Sequence, residues 1–190
     1  MIMVVPKENQ LNYSICGPRR LTPDEISTLR REMATAEYMT GLTQRQWEQI
    51  PEVLVATSDV NGELVSILAL VPMITSGWFE LGPVYTCERY RGKQVMSRLL
   101  QEVQPLLEGR KIFITSHNPA FVHLVQKTPN FNDRTVYQET SLLKILRALP
   151  FGAKWYMLTS RVRPSLIKER NRKKKLGLVA KAPDYFWIKR

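Results

Sequence analysis

The chain has 190 residues, of which 44% are hydrophobic and 24% charged, with a net charge of +11. That is room for one domain with a proper core, and no apolar run reaches the length of a membrane span. Two cysteines exclude a disulfide framework, two histidines without a nearby Cys/His cluster speak against zinc, and MIMVVP is too short for a secretory signal, so a cytoplasmic protein is expected.

The charge is unevenly placed. Arg161–Arg190 carry eleven Lys/Arg against Glu169 and Asp184, a net of +9, which leaves +2 for the first 160 residues. Such a segment suits a polyanionic partner, RNA or DNA, and equally suits a solvated tail that aids solubility.

In chain order, a first strand is expected over Leu11–Cys16, ending at Gly17-Pro18. Thr22-Pro23-Asp24-Glu25 starts a helix, with Thr22 as N-cap, Pro23 in the first turn and Glu25 closing a capping box. Ile26, Leu29, Met33 and Ala36 give it an apolar face, and Gly41 a stop. A second helix begins at Thr43, with Gln46 three residues on, and carries Trp47 and Ile50 up to Pro51. Val53–Thr57 and Leu64–Pro72 read as strands joined through Asn61-Gly62, a strong hairpin signal.

The strand Trp78–Thr86 then runs into a basic turn, Arg89 to Gln94, and a helix whose stripe is Val95, Met96, Leu99, Leu100, Val103, Leu106 and Leu107. Pro105 should end or kink that helix. A strand entering a helix through a glycine-containing basic turn gathers backbone N–H groups and positive charge at one point, which suits phosphate. Lys111–Ser116 is expected to lie parallel to Trp78–Thr86, followed by a helix through Phe121, Leu124 and Val125. Further on come a strand in Arg134–Gln138, a helix in Leu142–Leu149, a strand in Lys154–Thr159, a basic helical or irregular stretch Lys168–Lys175, and a last strand Tyr185–Ile188 closing the sheet. The expected organisation is one domain over residues 1–160 with a basic elaboration over 161–190.

The turn resembles the pyrophosphate loop Q/R-x-x-G-x-G/A of the GCN5-related N-acetyltransferase (GNAT) superfamily, with Arg89 in the first position and Gly92 in the fourth. Gln94 stands where that family has Gly or Ala, and Met96 replaces a frequent second glycine. Asn118 matches the asparagine of the family's next block, Asn130-Phe131 its Gly-Phe pair, and Val125 stands where a tyrosine is usual. The resemblance covers roughly Thr22 to Phe131. It implies a mixed α/β (α+β) GNAT-like acyl-CoA N-acyltransferase fold, acetyl-CoA as cosubstrate, and transfer of an acetyl group to an amine.

The same resemblance implies the site. Backbone amides from Arg91 to Met96, that is Arg91, Gly92, Lys93, Gln94, Val95 and Met96, would receive the pyrophosphate, Arg91 and Lys93 adding charge and Ser97 a hydroxyl. Backbone groups of Tyr85 and Thr86 would meet the pantetheine arm, and Asn118 the CoA arm. Glu80 is the only acid between Glu63 and Glu88 and lies six residues before Thr86, where histone-acetylating members carry their general base. The bland alternatives are exposed turn cations and a solvent-facing glutamate. Tyr90 or Tyr137 would substitute for the missing tyrosine acid, or simply pack. His117 and His123 read as structural, and Cys87 as reactive only if Arg89 and Arg91 lower its pKa. Trp155, Tyr156, Tyr185, Phe186 and Trp187 lie among the C-terminal bases and suit either base stacking or core packing. The resemblance leaves the acceptor unknown, and the basic C-terminal end favours one that is macromolecular or nucleic-acid-associated. The rival function is a nucleic-acid-binding or base-modifying protein on a decayed GNAT scaffold.

Overall fold

A computed structural model describes residues 11–36, 42–73, 77–116, 118–128, 131, 136–138, 164–177 and 185–189. The expected helix at 142–149, the strand at 154–159 and the residues His117, Asn130, Trp155 and Tyr156 lie outside the described residues, as do the side chains of Tyr137, Tyr185, Phe186 and Trp187.

Seven strands form one mixed sheet in the order β1-β2-β3-β4-β5-β7-β6. β1 is Tyr13–Arg19. It does not stop at Gly17-Pro18 as expected, but continues through a register shift between Cys16 and Arg19. Gly17 makes this possible, because a β-carbon there would stand 2.5 Å from the Val53 carbonyl oxygen. β2 (Glu52–Ser58), β3 (Leu64–Pro72) and β4 (Trp78–Thr86) follow as an antiparallel meander. The β2–β3 turn closes with Gly62 N–H donating to Ser58 O at 2.8 Å, where the Asn-Gly pair predicts a hairpin.

α1 (Pro23–Met33) and α2 (Gln44–Glu48) both start with the predicted capping boxes, Thr22 with Glu25 and Thr43 with Gln46. α3 (Val95–Glu102) gives way to a 3₁₀ turn, Gln104–Leu107, as Pro105 demands. β5 (Lys111–Ser116) runs parallel to β4, and α4 (Pro119–Lys127) follows it. β6 (Val136–Gln138) and β7 (Tyr185–Lys189) complete the sheet. β7 does not close the edge. It pairs with β5 on one side and β6 on the other, an inner position. α5 (Pro164–Lys175) is the basic stretch, and it is helical.

The core joins Ile26, Leu29 and Met33 of α1, Trp47 of α2, the apolar runs of β2 and β3, and Val95, Leu99, Leu100 and Val103. Each fully buried Leu or Val contributes about 1.5–3 kcal/mol, so the α3 stripe alone fixes that helix against the sheet and thereby fixes the turn before it. Among the described residues no helix is long and apolar enough to cross a membrane.

Candidate active site

β4 and β5 share only three rungs: Trp78 with Lys111, Phe79 with Ile112 and Glu80 with Phe113. Beyond them β4 from Leu81 onward pairs only with β3, and β5 from Ile114 onward only with β7. The two strands part there. On its other side β4 is bulged: Leu68 faces Val84 and Leu70 faces Leu81, so Gly82 and Pro83 stand opposite the single residue Ala69. The result is a wedge that opens towards the C-terminal ends of two parallel strands. α3 and α4 begin at that same end, and such a crevice is where open α/β sheets take ligands.

Glu80 occupies the last shared rung, half-buried, between Val71 of β3 and Phe113 of β5. Tyr85 and Thr86 lie on the parted half of β4, opposite Ile67 and Ser66. Their carbonyls already have side-chain donors. The buried Ser66 hydroxyl donates to Tyr85 O at 2.8 Å, and Arg91 Nε to Thr86 O at 3.4 Å.

The turn after β4 begins with a 3₁₀ segment, Glu88–Tyr90. Gly92 then takes φ 77° and Gln94 φ 58°, both left-handed. Gln94 is the N-cap of α3, and its side chain makes no cap. The backbone N–H groups of residues 92–97 consequently have no acceptor among the described residues. Gly92, Lys93 and Gln94 are exposed, and a β-carbon at Gly92 would meet nothing within 4 Å. Unsatisfied amides at the positive end of a helix, open to solvent, form an anion cradle.

The charged side chains around the cradle are held back from it. Arg89 pairs with Glu63 at the end of the β2–β3 hairpin and stacks on Tyr90, 4.7 Å from the ring centroid. Desolvation raises the Glu63 carboxyl, yet the hydrogen bonds from Arg89 and Asn61 outweigh it and hold the group below its ordinary value. Arg91 turns back along β4, donating from Nη2 to the Tyr85 hydroxyl at 3.2 Å. Lys93 lies over the Tyr90 ring at 5.8 Å. Asn118 caps α4, its Oδ1 accepting from Ala120 and Phe121 N–H at 3.0 and 3.4 Å, which leaves its carboxamide nitrogen to offer a ligand.

One residue escaped the sequence reading. Glu32, on the last turn of α1, accepts from the Glu88 N–H at 3.2 Å and from the Tyr85 hydroxyl at 3.4 Å. It joins Tyr85 and Arg91 in a network beneath the turn. Burial, and then the Glu32 charge, push the Tyr85 hydroxyl up to about 12, so it stays protonated at neutral pH. The signal was available: Glu32 flanks the stripe Ile26, Leu29 and Met33, so its carboxylate sits at the rim of a buried face. Cys87 is 2% exposed, and burial followed by Glu32 raises its thiol to about 11. It is an inert buried thiol, and Arg89 and Arg91 do not activate it.

No protein-family profile and no curated protein sequence matches the chain. Solved structures do. The N-acetylglutamate synthase of Neisseria gonorrhoeae, solved with coenzyme A and N-acetyl-glutamate, superposes with TM-score 0.59 at 15% identity over 94% of this chain. This chain spans only 35% of that synthase. The diaminobutyrate acetyltransferase of Paenibacillus lautus, solved with its substrate and coenzyme A, gives 0.58 at 11% identity over 94% of each chain. A GNAT-family acetyltransferase of Streptococcus pneumoniae gives 0.50 at 18% identity over 69% of this chain and 92% of its own. Two parallel strands that part beside an open helix start belong to the fold of these acetyltransferases, the GCN5-related N-acetyltransferase fold, as the loop and element order of the sequence imply.

Proposed function

We propose that the protein is an acetyl-CoA-dependent N-acetyltransferase acting on an amine of a nucleic-acid-associated acceptor. The observation that carries this reading is the uncapped start of α3 at the mouth of the β4–β5 wedge. Amides of residues 92–97 would receive the CoA pyrophosphate, Lys93 and Arg91 would add charge on leaving their aromatic rings, and Ser97 would add its hydroxyl. The Asn118 carboxamide would face the CoA arm from the opposite wall, and Tyr85 and Thr86 would line its path. When bound, the cosubstrate supplies a thioester as acyl donor, and the chain's own residues hold it and take up the amine proton. Glu80, where the strands separate, would be the group that takes this proton. With its hydroxyl high and engaged, Tyr85 organises the turn through Glu32 and Arg91 rather than titrating.

The rival reading, a decayed scaffold that binds nucleic acid without turnover, draws on Gln94, Met96 and Val125. Of these, Gln94 weighs less, because it takes the left-handed geometry a glycine would supply there. The basic α5 favours an acceptor attached to nucleic acid. The test is transfer from labelled acetyl-CoA to aminoacylated tRNA, bulk RNA and small diamines, with Glu80→Gln alongside. Label on an amine, lost in Glu80→Gln with CoA binding intact, is expected. Transfer undiminished in Glu80→Gln would remove Glu80 from the mechanism, and absence of acetyl-CoA binding would remove the enzyme.

A further inference from the structure

We propose that the outer face of α5 docks nucleic acid through its phosphate backbone. The inference rests on the nucleic-acid-borne acceptor proposed above, and its test separates the two.

The cations of α5 whose side chains are described fall into two sets. Lys173 is only 5% exposed, and its Nζ donates to the Ala36 carbonyl; Arg172 Nη2 donates to the Ala34 carbonyl at 2.6 Å. Ala34 is the C-cap of α1, and cations are favoured at the negative end of a helix. These two side chains are structural. They pin α5 to the end of α1, so the basic segment here is a mounted helix rather than a loose tail.

At 100° per residue, Lys168, Asn171 and Lys175 fall on the side opposite Lys173, and all three are exposed, as is Lys174. Lys168, Asn171 and Lys175, with Pro164, Ile167 and part of Arg172, border a shallow, open concavity along α5. From Lys168 to Lys175 the helix advances about 10 Å, which along a duplex corresponds to about six backbone charges. Arg30 and Arg31 are exposed one turn before Ala34, on the helix that α5 is mounted on.

The composition of this face selects the partner. A helix that lies on lipid needs a continuous apolar side. Among the described residues of α5 and the turn that ends it, only Ile167 and Leu176 are large exposed hydrophobics, and periodicity sets them about half a turn apart. Asn171 between lysines adds a donor and acceptor suited to phosphate and sugar contacts. Three cations, Lys168, Lys174 and Lys175, imply a slope of log K against log salt of about −2 on a single strand and about −2.7 on a duplex.

The test uses the full chain and a fluorescein-labelled mixed-sequence RNA, single-stranded and duplex, titrated by anisotropy over a sodium chloride series. Polyglutamate and phosphatidylserine vesicles serve as the competing anions. The triple variant Lys168→Gln/Lys174→Gln/Lys175→Gln is compared with Lys111→Gln/Lys127→Gln, exposed lysines elsewhere. The expected result is at least a tenfold loss of RNA affinity in the triple variant only, with the single-strand slope shallower by about 2. Equal loss in both variants, an unchanged slope, or binding of polyglutamate or vesicles as tight as RNA would overturn the proposal. Thermal shift with acetyl-CoA is run on the same samples. A shift retained in the triple variant shows an intact domain. RNA binding through this face without any acetyl-CoA shift sustains the surface and removes the enzyme reading alone.

Discussion

Gln94 opens α3 at φ 58°, ψ 11°, a geometry that a β-carbon resists and that its side chain does nothing to repay with a cap. Replacing it with glycine tests whether the departure from the family loop is a functional substitution or a tolerated one. The left-handed conformation costs an L-residue about 1–2 kcal/mol, and glycine returns about 0.4–1 kcal/mol of that as extra freedom in the unfolded chain. Gln94→Gly should therefore be neutral to stabilising by about 1 kcal/mol, a rise in melting temperature of roughly 2–4 °C for a chain of this size. The substitution also clears a side chain from beside the amides of residues 92–97, so CoA should bind equally well or a few-fold tighter. Calorimetric unfolding and CoA titration measure both. Loss of stability would refute the strain argument. A tenfold loss of CoA affinity would show that the Gln94 side chain is itself a ligand group.

Leu99 is fully buried on the face of α3 that sets the turn, so Leu99→Ala should cost about 2–5 kcal/mol in denaturant unfolding; a loss under 1 kcal/mol would mean the helix is held by something else. At pH 8 an alkylating reagent should label Cys16, which is exposed, and spare Cys87 with its thiol near 11 until the chain unfolds; matched labelling of both would contradict the burial. Burial raises the Glu25 carboxyl, but the paired bonds from Arg19, at 2.6 and 2.8 Å, outweigh it and leave the folded pKa below the ordinary value. Its contribution is therefore present above the unfolded pKa and lost as pH falls through the folded one. Glu25→Gln should be less stable than the wild type at pH 7, by up to about 1 kcal/mol, and the gap should close in acid. A gap that widens in acid would reverse the assignment.

Local chemistry made much of this fold legible. Two capping boxes, one Asn-Gly turn and a proline after α3 each act within a few residues, and each marks its element where the structure has it. The failures are long-range. β1 outruns Gly17-Pro18 because the Val53 backbone admits a glycine there, and no local pattern reveals a neighbour 36 positions away. β7 enters between β5 and β6 because pairing order is decided by the whole sheet. The strand, turn and helix around Gly92 were legible from residue order, while the parting of β4 from β5 needed both strands in view. Glu32 could be read only as the rim of an apolar stripe, since its partners lie 53 and 56 residues further on. The basic stretch was visible as charge; that Arg172 and Lys173 are consumed in mounting the helix was not.

Amide hydrogen exchange with and without acetyl-CoA reads the central claim at the atoms concerned. Exchange at residues 92–97 should be fast in the apoprotein and slow markedly once acetyl-CoA is added. Exchange at those amides that acetyl-CoA leaves unchanged at millimolar concentration, or slowing confined to another part of the chain, would contradict it.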